Sequence, residues 1–234
     1  MPVLYIANKN YSSWSLRPWA LMRALDIPFE ERLVPFVQPG EPSPFAAFSP
    51  TGKVPCLVDD TPDGPITVWD SLAIAEYLAE SHPGVWPTHP AARAFARCAS
   101  AEMHSGFATL RNVCGMNCGV RVELAPPSVA LQADLARLDA LWQQGLDHFG
   151  GPWLAGSAFG AVDAFFAPVA FRVQTYGLVL KPAAQAYAQR LLDHPVLRDW
   201  YDQALAEPWR DAAHDAELPR AGRVVADLRR QAGA

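Results

Sequence analysis

The sequence predicts a small α/β domain followed by an all-helical domain, and two observations support this prediction. Within residues 1–81, short extended runs alternate with helical ones in the order β, α, β, loop, β, β, α. After the proline-rich segment 82–90, strand patterns almost vanish, and long alanine- and leucine-rich stretches with helical periodicity take their place. We therefore expect one domain over residues 1–81 and a second over residues 91–234.

Four short apolar runs are the predicted strands of the first domain: VLYIA (3–7), RLVPFV (32–37), PCLVDD (55–60) and ITVW (66–69). A helical pattern from about Ser15 to Leu25 lies between the first two, and a strand–helix–strand unit joins parallel strands. The Asp-Gly pair in TPDGP (61–65) predicts a tight turn between the last two. The helical run DSLAIAEYLAES (70–81) closes this domain, whose sheet should mix a parallel crossover with an antiparallel hairpin.

The second domain is predicted to be a bundle of long helices. Four stretches with helical periodicity support this: residues 91–112, 128–149, 161–177 and 182–205. The basic C-terminal segment RAGRVVADLRRQAGA (220–234) is expected to be a solvated tail.

Composition excludes several classes of function. The 234 residues are half hydrophobic and carry a formal net charge of −5 without a basic patch, so we expect no nucleic-acid partner. No window approaches the roughly 18 apolar residues of a membrane span, and the N-terminus lacks a secretory pattern, so we expect a cytoplasmic protein without a membrane partner. The four cysteines are too few for a disulfide framework, and CGMNC (114–118) lacks the further ligands of a zinc site, so no metal is expected.

Two short motifs allow both a structural and a functional interpretation. Pro55 begins a predicted strand and is either an ordinary trans proline or a cis proline that turns the backbone of Val54 outward. Backbone groups exposed in this way could pair with an extended peptide. Asp70 and Ser71 begin a helix and are common capping residues, but together they could also bind the ammonium and carboxylate of an amino acid.

The run FGAVDAFF (159–166) has the pattern of a helix N-terminus. Asp163 lies three residues after Gly160, where its carboxylate can accept hydrogen bonds from the free N–H groups of the first turn. Phe159 is expected to act as a hydrophobic staple. The role we expect for this segment is structural.

Taken in order, four segments resemble the glutathione transferase superfamily, and the resemblance spans essentially the whole chain. Residues 12–31, SSWSLRPWALMRALDIPFEE, are similar to the serine-type catalytic loop and first helix of its zeta and tau classes. Residues 49–60 and 70–80 are similar to its glutathione-binding segments, and residues 160–169 to its helix-capping element. The resemblance implies a thioredoxin-like first domain, a helical second domain, glutathione as co-substrate and a homodimer.

Within NYSSWSLRP (10–18), the resemblance assigns to Ser12 the hydroxyl that holds the glutathione thiolate, with Ser13 and Tyr11 as alternatives. A free thiol has a pKa of about 8.5, so half ionisation at pH 7 requires about 2 kcal/mol. A hydroxyl hydrogen bond to an anion contributes about 1.5–3 kcal/mol, and a helix N-terminus about 0.3–1 kcal/mol. A serine therefore suffices without a base, because it donates a hydrogen bond rather than losing its proton.

The remaining candidate residues also follow from the resemblance. The glutathione-binding residues it implies are Val54 and Pro55 for the cysteinyl backbone, Asp70 and Ser71 for the γ-glutamyl end, and Lys53 or Gln38 for the glycine carboxylate. The residues expected around the second substrate, a small electrophile, are Tyr11, Trp14, Met103, His104, Phe107 and Arg111, with Asn112 and Met116 close by. Helical spacing also allows Met103 and Phe107 to be core residues and Arg111 to be a solvated surface charge.

The expected function is conjugation of the glutathione thiolate to a small electrophile. A glutathione-dependent cis–trans isomerase of the maleylacetoacetate type is an alternative. A second cation near Arg111 would favour it, whereas Trp14 stands where the zeta pattern has cysteine. A non-catalytic binding protein of the same superfamily is a further hypothesis. A cysteine-type lyase or dehydroascorbate reductase is disfavoured because the catalytic turn has no thiol, and Cys56 should point into the sheet.

Overall fold

A computed structural model of the protein describes residues 1–37 and 40–230. The first part of the chain forms β1 (Val3–Ile6), α1 (Ser13–Ala24), β2 (Glu30–Leu33), a 3₁₀ turn (Pro44–Ala47), β3 (Cys56–Thr61), β4 (Gly64–Trp69) and α2 (Ser71–Ala79). The second part forms α3 (Pro90–Ser105), α4 (Ala108–Val113), β5 (Val120–Leu124), α5 (Val129–Phe149), α6 (Ala161–Tyr176), α7 (Pro182–Asp193), α8 (Pro195–Ala206), α9 (Ala212–Asp215), α10 (Leu218–Ala221) and β6 (Gly222–Asp227).

The first four strands form one mixed sheet in the order β2-β1-β3-β4. Strand β2 runs parallel to β1, whereas β3 is antiparallel to both β1 and β4. This confirms the predicted combination of a parallel crossover and an antiparallel hairpin. Cys56 pairs with Tyr5 and Trp69, is fully buried, and donates its thiol hydrogen to the carbonyl of Phe48 at 3.4 Å. The division of the chain into domains at residues 1–81 and 91–234 stays a prediction.

The loop between β1 and α1 is anchored to the helical domain. Lys9 is buried, and its Nζ lies 4.9 Å from the ring centroid of Trp19 and 5.4 Å from that of Trp200 on α8. The carboxylate of Glu207 accepts the backbone N–H of Lys9 at 2.5 Å and that of Asn10 at 3.2 Å. The serines that follow are therefore positioned by contacts with both parts of the chain.

Helix α6 is the centre of the helical domain. Every one of its residues except Gln174 is buried, and it packs against α1, α3 and α7. The carboxylate of Asp163 accepts the N–H of Gly160 at 3.0 Å, which confirms the predicted cap. The ring of Phe159 stacks on His194 with 4.8 Å between centroids, so this packing connects the start of α6 to the start of α8.

The C-terminal segment is not the solvated tail that its composition suggested. The second domain is helical, as predicted, but β5 and β6 also form a two-stranded antiparallel sheet. Residues 222–227 are strand β6, and the side chain of Arg229 is only 8% exposed because it pairs with Asp215 and Asp227. Residues 231–234 lie outside the described part of the chain. Local periodicity could not reveal this pairing, because partners such as Glu123 and Arg223 are 100 residues apart.

Two of the predicted long helices are each divided in two. Helix α3 ends at Ser105, and Phe107, with a φ of 53°, precedes α4. Helix α7 ends at Asp193, and Pro195 begins α8. Proline lacks an N–H donor and disfavours helical backbone in the residue before it, which accounts for the second break.

Within the described ranges, no helix is long and apolar enough to cross a membrane. The same ranges contain no group of three or more His, Cys, Asp or Glu side chains that could hold a metal ion. All four cysteines are free thiols, and three of them are buried: Cys56, Cys114 and Cys118.

Candidate functional site

A cavity of about 640 Å³ lies where the loop before α1 meets the helical domain. From the first domain it is lined by Tyr11, Ser12, Ser13, Trp14, Phe36, Lys53 and Val54, among others. From the helical domain it is lined by Arg111, Asn112, Met116, Arg172, Asp211, His214 and Glu217, among others. Polar groups that are distant in sequence therefore converge on one concave surface, as expected of a ligand site.

Ser12 is the N-cap of α1. Its Oγ accepts the N–H of Ser15 at 3.4 Å and donates to the Oγ of Ser15 at 2.7 Å, while Ser15 Oγ accepts the N–H of Ala7 at 3.2 Å. Ser13 is the first helical residue and lies half-buried on the same cavity wall. The helix N-terminus thus presents two hydroxyls and its positive dipole end to the cavity, an arrangement that favours an anion. Sequence reasoning missed Ser15, which orients the Ser12 hydroxyl.

Tyr11 lines the cavity, but its hydroxyl is committed to other partners. It accepts hydrogen bonds from Arg229 Nη1 at 2.8 Å and from the backbone N–H of Asp211 at 3.3 Å, and it donates to Asp215 Oδ1 at 3.2 Å. Burial raises the pKa of the Tyr11 phenol above its usual value. These contacts make Tyr11 a weaker candidate for the thiolate donor than either serine.

The Val54–Pro55 peptide bond is cis, the second of the two conformations that the sequence analysis left open. Lys53 and Val54 line the cavity, whereas Pro55 is buried beside it. Gln38, the alternative to Lys53, lies outside the described residues.

Asp70 and Ser71 begin α2, as predicted. The carboxylate of Asp70 accepts the N–H of Leu72 at 2.8 Å, and its second oxygen lies 3.4 Å from His104 Nε2. Ser71 is buried, and its Oγ accepts a long hydrogen bond of 3.5 Å from Arg17 Nη1. Asp70 therefore caps α2 and contacts a side chain of α3, while Ser71 contacts a side chain of α1.

An electropositive cluster surrounds Trp14. The guanidinium of Arg17 lies 4.2 Å from a Trp14 ring centroid, and that of Arg111 lies 4.8 Å from one. Burial, together with the charges of Arg172 and Arg111, lowers the pKa of Arg17 to about 9, and Arg17 Nε has no hydrogen-bond partner among the described residues. Burial likewise lowers the pKa of Arg172 to about 10, while its Nε donates to the carbonyl of Cys114 at 2.7 Å. An anionic ligand would relieve this concentration of positive charge.

Three residues expected around the second substrate are not where the sequence analysis placed them. Met103, His104 and Phe107 are absent from the lining of the cavity, as far as the described residues define it. Met103 is fully buried and Phe107 is 6% exposed, so both belong to the core, the alternative that their helical spacing allowed. His104 instead contacts the edge of Trp14, with 5.2 Å between ring centroids. Arg111 and Trp14 do line the cavity, as expected.

Among the cavity residues that the sequence analysis missed are Arg172, Asp211 and His214. An arginine within the apolar run of α6 is an unusual pattern that could have identified Arg172. The other two lie in short C-terminal elements, and no local pattern connects them to residues 11–14.

Comparison with known proteins agrees with this architecture. The family model "Glutathione S-transferase, N-terminal domain" matches residues 11–81, and "Glutathione S-transferase, C-terminal domain" matches residues 128–203. A probable maleylacetoacetate isomerase of Caenorhabditis elegans is 35% identical over 114 residues, which cover 48% of this chain and only half of that protein. Maleylacetoacetate isomerase of Rattus norvegicus is 26% identical over 187 residues, which cover 77% of this chain and 82% of that protein.

One similar solved structure is a glutathione transferase homolog from Burkholderia with bound glutathione. Its TM-score is 0.63 at 24% identity, and the match covers 87% of this chain and 97% of that one. Sequence identity at this level supports a shared fold but does not identify a substrate. Since the two family models together match well over half of the chain, the protein belongs to the glutathione S-transferase family.

Proposed function

We propose that the protein binds glutathione as a thiolate and adds it to a small, negatively charged electrophile. One observation carries this proposal: the serine-capped N-terminus of α1 opens onto a cavity that Arg111 and Arg172 also line. A donor for an anionic sulfur and two cations for an anionic second substrate therefore share one concave surface.

The thiolate is proposed to lie beside the Ser12 hydroxyl. Rotation about the Cβ–Oγ bond would redirect the proton that Ser12 now donates to Ser15 Oγ towards the incoming sulfur. One such hydrogen bond contributes about 1.5–3 kcal/mol, which covers the roughly 2 kcal/mol needed for half ionisation at pH 7. The nearby guanidinium groups of Arg17 and Arg111 act in the same direction, because positive charge lowers the pKa of a thiol.

Glutathione is proposed to lie across the loops of the first domain. The backbone of Val54 would pair with the cysteinyl unit, and Lys53 would meet the glycine carboxylate. At the other end, Ser71 and the N-terminus of α2 would hold the γ-glutamyl carboxylate, and Asp70 its ammonium.

Cis–trans isomerisation is the second candidate reaction, and a specific observation favours it. Arg172 is a second cation beside Arg111, the feature that an unsaturated dicarboxylate would require. In this reaction the thiolate adds to one alkene carbon, the resulting single bond rotates, and the thiolate is expelled as the double bond re-forms. The named activity of the C. elegans and rat relatives points in the same direction. Against it stands Trp14, which occupies the position of the zeta-class cysteine.

A homodimer in the cytoplasm is part of the same proposal, as is usual in this family. Strand β4 is an edge of the sheet, and it leaves Ile66 and Trp69 more than two-fifths exposed. Apolar side chains on an edge strand are well suited to cover by a second copy of the chain.

The test combines glutathione with a matched pair of acceptors, a cis-unsaturated dicarboxylate and its dimethyl ester. An ultraviolet thiolate band should appear on titration with glutathione at pH 7. The dicarboxylate should react with a kcat/KM about tenfold or more above that of the ester, since each ionic hydrogen bond contributes about 1.5–3 kcal/mol. Formation of the trans isomer without loss of glutathione would identify the isomerase, whereas a stable adduct would identify the transferase. Binding of glutathione without a thiolate band would leave a non-catalytic binding protein.

A further inference from the structure

The segment that follows α8 places a histidine–aspartate pair on the cavity wall. Asp211 caps α9, and its Oδ1 accepts the backbone N–H of His214 at 2.9 Å. The same oxygen lies 2.8 Å from Nδ1 of the His214 ring. Asp211 is 6% exposed, whereas about a third of the His214 side chain remains accessible, and both residues line the cavity that contains Ser12 and Ser13.

The carboxylate fixes which ring nitrogen of His214 carries the proton. A carboxylate only accepts hydrogen bonds, so the proton resides on Nδ1, and Nε2 of the neutral ring keeps its lone pair. The ring is also held in place, with its centroid 5.2 Å from that of Tyr11 and 5.1 Å from that of Phe36. Tyr11 directly precedes Ser12, so an oriented imidazole lies next to the serine loop.

The proposed thiolate chemistry leaves one requirement that the serines cannot meet. A serine hydroxyl stabilises the thiolate by donating a hydrogen bond, but it does not remove the proton of the thiol. Resting on the function proposed above, we propose that Nε2 of His214 accepts the proton that the glutathione thiol loses. The S–H bond breaks with its electron pair left on sulfur, an N–H bond forms at Nε2, and the Asp211 carboxylate balances the new imidazolium charge.

The same proton is then available for the second half of the reaction. When the thiolate adds to an activated double bond, the new carbanion takes the proton from Nε2, and His214 returns to its neutral form. In this scheme His214 is the acid–base residue and Asp211 is its positioning residue.

Charged groups of both signs lie on the cavity wall that carries the His214 ring. On its own segment the acidic groups are Asp211, Asp215 and Glu217. From other segments, Tyr11, Lys53, Glu41, Arg111 and Arg172 line the same cavity, and Arg229 donates to the Tyr11 hydroxyl.

The test counts protons while the thiolate forms. Wild type, His214→Gln and a control, His148→Gln, are mixed with glutathione at pH 7 in dilute buffer containing a pH indicator, and the thiolate band is recorded. His148 is exposed on α5 and lies outside the described lining of the cavity. Wild type and His148→Gln should release well under one proton per thiolate, because His214 retains it. His214→Gln should release one proton per thiolate, and its turnover should fall about 100-fold or more.

Asp211→Asn provides a second variant with the ring retained. The amide cannot hold Nδ1–H as a carboxylate does, so proton release should rise and the pH profile of turnover should shift, even where glutathione binding is unchanged. If His214→Gln fails to fold, Asp211→Asn decides the question: a proton count equal to that of wild type would overturn the role of His214.

The outcomes separate this inference from the proposed function. Thiolate formation in wild type with one proton released per thiolate, or equal proton counts in wild type and His214→Gln, would overturn the role of His214 and leave the serine-stabilised thiolate standing. If wild type binds no glutathione, the proposed function is wrong, and the role of His214 is wrong with it.

Discussion

Helices α1 and α6 pack against each other, but their N-termini are built differently. Helix α1 begins at a neutral cap, Ser12, whose hydroxyl faces a cavity. Helix α6 begins at Gly160, and the fully buried carboxylate of Asp163 serves its first turn. That carboxylate also accepts the N–H of Leu154 at 3.1 Å and the hydroxyl of Tyr187 at 2.7 Å.

The difference separates a structural helix start from a candidate ligand site. The free N–H groups and dipole of a helix favour one negative charge at its N-terminus. In α6 the chain supplies that charge itself through Asp163. In α1 the charge is not supplied by the cap, so the end of the helix remains available for an anion such as a thiolate.

The largest expected effect is on the N-terminus of α6, where Asp163 already supplies the negative charge. Asp163→Ala removes the acceptor of three buried donors, and each unsatisfied donor costs about 1–3 kcal/mol. We expect the free energy of unfolding to fall by about 4 kcal/mol in urea titrations. Asp163→Asn keeps one carbonyl acceptor, so its free energy of unfolding should fall by less. A loss below about 1 kcal/mol for the alanine variant would show that the carboxylate is not what holds this start together.

The burial of the Asp163 carboxyl should also make the stability of the protein depend on pH. Burial raises the pKa of the Asp163 carboxyl to about 6, well above its value in an unfolded chain. Between about pH 4 and pH 6 the folded state therefore holds a proton that the unfolded state has lost, so stability falls as pH rises through this window. A pKa difference of about two between the folded and unfolded states corresponds to roughly 3 kcal/mol of unfolding free energy. The difference in unfolding free energy between wild type and Asp163→Asn should follow this slope, and a constant difference would contradict it.

Ser12→Ala tests the N-terminus of α1, which is available for an anion. Loss of a hydrogen bond worth about 1.5–3 kcal/mol should raise the pKa of bound glutathione by one to two units and reduce the thiolate band at pH 7 about tenfold. Loss of the cap should lower the free energy of unfolding by only about 1 kcal/mol. Ser13→Ala is the matched control, since it leaves the cap in place. A band that survives in Ser12→Ala but disappears in Ser13→Ala would transfer the donor role to Ser13.

Gly160→Ser should have the smallest effect. Serine is a slightly better cap than glycine, by a few tenths of a kcal/mol. A Cβ at this position would lie 3.2 Å from the carbonyl oxygen of Val85, which is close enough to offset that gain. Thermal unfolding should therefore show a change within about 0.5 kcal/mol in either direction. A larger gain would mean that α6 still lacks a hydrogen-bond acceptor at its start.

Features set by neighbouring residues could be predicted from the sequence. The order of strands and helices in the first domain, the turn at Asp63-Gly64, the caps at Asp70 and Asp163 and the serine loop all follow from local patterns. The order of motifs then identified the family.

Features that depend on tertiary packing could not be predicted in the same way. Met103 and Arg111 have similar helical surroundings in sequence, yet one is core and the other lines the cavity. The hydrogen bond from Arg172 to Cys114, the ring contact of His214 with Tyr11 and the pairing of β5 with β6 join residues about 50 to 200 positions apart. Periodicity over a few turns carries no information about such contacts.

The hydrogen bond between Tyr11 and Arg229 has a consequence for how the protein is made. Its two residues are 218 positions apart in the sequence. At about 5–20 residues per second, a ribosome needs about 10–45 s to travel from one to the other. During that interval the serine loop has already been synthesised, while the wall that carries Asp211 and His214 has not. The growing chain can therefore fold its first sheet early, but the pocket is complete only after Arg229 has been synthesised.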